Sequence, residues 1–156
     1  MSSLPNGQNT RKMGFLASET MSWINPAIGQ QWVAGDQYRL AFFTSATTDA
    51  TSSDISTYNT WVQGLADAST VYDIGADEGV TWKAIGSTIT VDARDNTLTN
   101  PYVDGIGCAI YLLDGSTVVA NDYADLWDGE IAHIIDLTEQ GQISTGWPVS
   151  RLQVHI

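Results

Sequence analysis

The stretch "GCAIYLLDGSTVVANDYADLWDG", residues 107–129, carries three structural signals in a single run. Ala109–Leu113 is an apolar strand, Asp114-Gly115 is a turn pair, and Thr117–Ala120 returns as a β-branched strand, which together predict a hairpin. The polar "ND" that follows can cap a short helix over "YADLW", burying Leu126 and Trp127. Cys108, at the entrance to the first strand, reads as a buried and inert thiol.

Working upstream, "WKAIGSTITVDARDNT" (Trp82–Thr97) is an irregular extended region with a bend at Gly86 and Trp82 as a core anchor. Ahead of it the apolar period changes. Ile55, Tyr58, Val62 and Leu65 recur every three or four residues and predict one amphipathic helix, with Ser52 or Ser53 as its cap. Asp54 lies where the helix dipole favours an anion, and Asp67 where it does not, so the helix should end near Asp67. "YRLAFFTS" (Tyr38–Ser45) is a buried strand bounded by turn residues. Downstream, "IAHIIDL", the turn "TEQGQ" and "PVSRLQVHI" predict further strands. A main helix among short, mostly antiparallel strands is an α+β pattern. Residues 1–20 read as a loose leader and 21–156 as a single domain, large enough to fold without metal or disulfide.

Six basic residues stand against eighteen acidic ones, a net charge of −12. Between residues 13 and 150 the only cations are Arg39, Lys83 and Arg94. Such a surface repels phosphate backbones and anionic headgroups, so no nucleic-acid partner and no membrane insertion are expected. The single cysteine excludes an internal disulfide. Low lysine with abundant Thr, Ser, Asn, Asp and Gly suits an extracellular or cell-surface protein. The opening "MSSLPNGQNTRKMGFLAS" has no apolar run leading to a small-residue cleavage site.

The succession "YRLAFFTS", "ISTYNTWVQGLAD", "TWKAIGST", "GCAIYLLDGSTVVANDYADLWDG" and "IIDLTEQGQISTGWP" resembles the endostatin-like branch of the C-type-lectin-like fold. The likeness is strongest over residues 38–148. "WKAIGST", "DARDNT" and "YADLWDG" are also similar to domains of bacterial exported proteins of unassigned function. The resemblance implies a non-catalytic extracellular binding or adhesion module whose ligand is a glycan or another surface protein. It also implies closing strands that pair with the first one. Here the sequence ends with "GWPVSRLQVHI", so the expectation is either a C-terminally truncated domain or segment 21–37 in that role. Several family properties do not carry over. The arginines that bind heparin are replaced by an acidic surface, no histidine precedes His133 to hold zinc, and the calcium-dependent sugar signatures are missing.

Two clusters remain as candidate sites. Asp92, Asp95, Asn96 and Asp104 supply hard oxygens in a turn-rich region, which is what calcium requires. Against that, Arg94 is an internal counter-ion for one aspartate, and the others can close Asx-turns, which makes Arg94 a stabilising residue. Asp122, Tyr123, Asp125, Trp127 and Asp128 form a candidate ligand rim, with Trp127 stacking on a sugar; the alternative is a capped helix with its aromatics turned inward. No catalytic residue is assigned. Eighteen acids would offer a carboxylate pair on any fold, so a hydrolase of a neutral polymer stays open as a second reading, and a purely structural acidic module as a third.

Overall fold

The computed structural model describes residues 24–145 and the backbone of 154 and 155. The expected leader at 1–20 and most of "PVSRLQVHI" lie outside these residues. In chain order the elements are β1 (Ile24–Asn25), β2 (Gln30–Gln31), β3 (Tyr38–Phe43), α1 (Ile55–Asp67), a 3-10 turn (Ala76–Glu78), α2 (Ala93–Thr97), β4 (Ala109–Leu112), β5 (Val118–Ala120), α3 (Tyr123–Leu126) and β6 (Val154–His155). The chain is a mixed α+β structure with short strands in two sheets.

The four-stranded sheet has the order β5-β4-β3-β6, and β1-β2 form a separate two-stranded ribbon. Three of the four strand pairings are antiparallel, but the central one is not. β3 and β4 run parallel, with Tyr38 opposite Ala109 and Ala41 opposite Leu112. Parallel neighbours need a long crossover, and here it runs through α1, the 3-10 turn and α2. All four residues of β4 are buried, as befits an apolar strand at the centre of a sheet. The closing partner of β3 is β6, with Phe43 opposite Val154, whereas segment 24–31 pairs with itself.

Helix α1 is capped by Asp54 rather than by either serine: Asp54 Oδ1 accepts from Ser56 N at 2.9 Å. Val62 and Ala66 are its buried residues, and Tyr58 packs against the core from the edge. Asp67 does end the helix. Its charge is not left facing the dipole alone, because it accepts from Gln63 Nε2 at 2.9 Å and from Ala76 N at 2.7 Å. These bonds hold its pKa below the usual carboxylate range.

Trp82 closes the core between α1 and the sheet. It is 2% exposed, stands edge-on to Phe42 with centroids 4.6 Å apart, and donates Nε1–H to Ile74 O at 2.8 Å. Burying an indole whose N–H is satisfied avoids the penalty of an orphan donor.

The hairpin forms where the sequence places it. Gly115 takes φ +69°, and the Asp114 carboxylate accepts from Ser116 N, Thr117 N and Thr117 Oγ1, the last at 2.6 Å. Burial pushes the Asp114 carboxyl up, but these bonds outweigh it, so its pKa lies below the ordinary value. A carboxyl with a depressed folded pKa contributes stability above its unfolded pKa of about 3.9, and that contribution is lost as pH falls through the folded value. Asp114→Asn mimics the protonated acid. It should cost about 1 kcal/mol at pH 7, screened as the site is half open. Thermal melts should show the gap between wild type and variant closing between roughly pH 5 and pH 2. A gap that persists at pH 2 would mean the charge contributes nothing.

Segment 131–137 corrects an expectation. "IAHIIDL" is not a strand: Ile131, His133 and Ile134 are exposed, and only an isolated bridge joins Leu137 to Ile143. It follows the sheet edge instead, where Leu137 O accepts from Phe43 N at 2.9 Å. In the turn that follows, Glu139 is wholly buried. Its carboxylate accepts from the backbone N–H of Ser45 at 2.9 Å and from the Ser45 hydroxyl, while its carbonyl accepts from Ser69 Oγ. One turn residue thereby ties the ends of β3 and α1 together.

Candidate functional site

An open cleft of about 450 Å³ lies where segment 25–37, the end of α2, the loop after it and the start of α3 meet. Its floor is Arg39, the one cation of the strand "YRLAFF". Arg39 Nε–H donates to Tyr123 Oη at 2.7 Å, and Nη2 donates to Leu98 O at 3.1 Å. Among the described residues Arg39 forms no ion pair; two of its five guanidinium donors go to Tyr123 and Leu98, and the guanidinium also interacts with the Cys108 thiol. Cys108 adds its thiol 3.9 Å from Tyr123 Oη.

The walls are fixed by local bonds. Asn25 Oδ1 accepts from Ala27 N at 3.1 Å, which turns the β1-β2 ribbon, and its Nδ2 donates to Asp36 Oδ2 at 3.3 Å. Asp36 Oδ2 also accepts from Val33 N. Asp104, also in the lining, accepts through Oδ2 from Asn100 N at 2.8 Å. Gln37 is exposed and lines the cleft without a structural bond among the described residues. Gly107 takes φ +69° and lies flat against the Tyr123 ring, which sets the ring's position.

Burial pushes the Cys108 thiol up, against smaller opposing effects from Tyr123 and Arg39, so the thiol is protonated at neutral pH and is a poor nucleophile. Burial also raises the Tyr123 phenol, with the Arg39 bond working the other way. The cleft therefore offers a fixed cationic donor set, two carboxylates already engaged as wall struts, and amide and phenol groups.

The sequence candidates are placed as follows. Asp122 caps α3 by accepting from Asp125 N at 2.9 Å. Asp125 accepts from Asn121 N and Nδ2, and Asp128 from Glu130 N. Trp127 is half-buried and donates Nε1–H to buried Thr99 at 3.0 Å. Of this set only Tyr123 reaches the cleft.

Asp92 caps α2 by accepting from Arg94 N at 3.0 Å and pairs with Arg94 Nε at 3.2 Å, on an open surface where solvent screens the pair. The stabilising role expected of Arg94 is therefore small. Asp95 accepts from Asn100 Nδ2, and Asn96 forms a reciprocal amide pair with Asn59, both bonds at 2.9 Å, which joins α2 to α1. Asp104 belongs to the cleft wall. Of these four candidate calcium ligands, Asp92 is engaged by Arg94 and Asn96 by Asn59, while Asp95 and Asp104 share Asn100; among the described residues no group of three or more His, Cys, Asp or Glu side chains could hold a metal ion.

Arg39, Asn25, Gln37 and Cys108 were not assigned to a site from the sequence. The one available signal was a cation inside an otherwise apolar strand. No family model, curated protein or solved structure matches the chain.

Proposed function

We propose that the protein is a non-catalytic binding module, of the lectin-like kind the sequence resembles, with its ligand site in the Arg39 cleft. The observation that carries this reading is the Arg39 guanidinium, incompletely used among the described residues, in a cleft lined by both donors and acceptors. A polyhydroxylated ligand needs that mixture, because each hydroxyl both donates and accepts. A neutral glycan fits better than an acidic one, since two carboxylates, Asp36 and Asp104, line the cleft with the one cation, Arg39. Calcium is not needed for such contacts, and the extracellular location suggested by composition belongs to the same proposal.

The test is glycan-array binding in calcium and again in chelator, with wild type and Gln37→Trp. Gln37 is exposed, so a tryptophan there blocks the cleft without disturbing the core. The expected result is binding to neutral glycans that survives chelation and falls at least about tenfold in the variant. Binding that requires calcium, that ignores Gln37→Trp, or that is absent throughout overturns the reading.

A further inference from the structure

The loop after α2 presents a run of apolar side chains to solvent. Tyr102 is 89% exposed, Val103 75%, Ile106 61% and Leu98 57%. The loop is not slack. Asn100 clamps it: its N–H donates to Asp104 Oδ2, its Oδ1 accepts from Tyr102 N at 3.1 Å, its carbonyl accepts from Val103 N and Asp104 N, and its Nδ2 donates to Asp95. Leu98 sits in the left-handed region at φ +55°, with its carbonyl held by Arg39. Folding gains nothing from keeping these side chains out of the core, and a pre-formed loop that exposes them has the properties of a recognition surface.

The charges around it select the partner. Asp95 and Asp104, both exposed, stand at the base of the loop, and the whole chain carries −12. A second copy would bring like charges together, and anionic headgroups would be repelled. We propose that loop 98–106 docks into an apolar pocket rimmed by lysine and arginine on a different protein, with Tyr102 as the anchor. The loop shares Leu98 and Asp104 with the cleft, but the side chains of Tyr102, Val103 and Ile106 do not line it.

The test uses a synthetic helical peptide with leucines on one face and lysines on the other, and its leucine–glutamate counterpart, titrated into the isotopically labelled full chain. With the lysine peptide, backbone resonances of 98–106 should shift, and affinity should fall at least about tenfold in Tyr102→Ser/Val103→Ser. The glutamate peptide should leave the spectrum unchanged. The proposal is overturned by no binding, by shifts spread over the acidic surface, by equal affinity in the double variant, or by wild type that dimerises through the loop. If the double variant melts early, the shift map of the wild type decides alone.

Discussion

Trp82→Ala is expected to destabilise the protein by about 3–5 kcal/mol, the largest loss of any single substitution considered. Three effects add. The indole leaves a cavity between α1 and the sheet, Phe42 loses the ring it meets edge-on, and Ile74 O loses the Trp82 Nε1–H bond. Trp82 N also donates to Gln63 Oε1 at 2.9 Å, but that backbone bond survives the substitution. In a domain of this size the loss corresponds to a fall in melting temperature of roughly 10 °C. Thermal unfolding by circular dichroism measures it. A fall below about 2 °C would mean that Trp82 is not the keystone of the core.

Gly107→Val should be nearly as damaging, by about 3 kcal/mol or more, for a different reason. The backbone there is left-handed, which a β-branched residue resists, and a Cβ would lie inside the contact radius of the Tyr123 ring. The ring cannot swing away freely because its hydroxyl is held by Arg39 at 2.7 Å. The substitution should therefore lower stability and empty the cleft of function together. Calorimetry alongside glycan binding checks both. A variant that melts like wild type would show that Gly107 does not set the ring.

How much of this was legible in the sequence follows from chain distance. The Asp114-Gly115 hairpin and the caps made by Asp92 and Asp122 are local: the deciding bonds span two or three residues, and the residue types announce them. The amphipathic stripe of α1 and the burial of Trp82 were likewise readable, because period and size determine them. The parallel pairing of β3 with β4 was not readable, since register between distant segments leaves no mark on either one. Arg39 was missed for the same reason, as its partner Tyr123 lies 84 positions along the chain. "IAHIIDL" misled because its apolar content suggested a strand, whereas Ile131 and Ile134 face solvent beside the sheet edge. The acids of the candidate calcium set drew attention by composition, yet each is engaged by a neighbour only a few residues away.

The site itself was half legible. Tyr123, read from the sequence beside Trp127 and the α3 acids, lines the cleft together with Arg39, whereas the other residues of that set do not line it. The hydrogen bond from Trp127 to Thr99 turns that indole into a structural strut.

The most direct measurement is a nuclear magnetic resonance titration of the full chain with a neutral glycan that binds it on the array. The account predicts movement of the Arg39 Nε–H signal and of the Gln37 and Cys108 amides, with the Trp127 indole signal still. Movement at Trp127 with a silent Arg39 would contradict it.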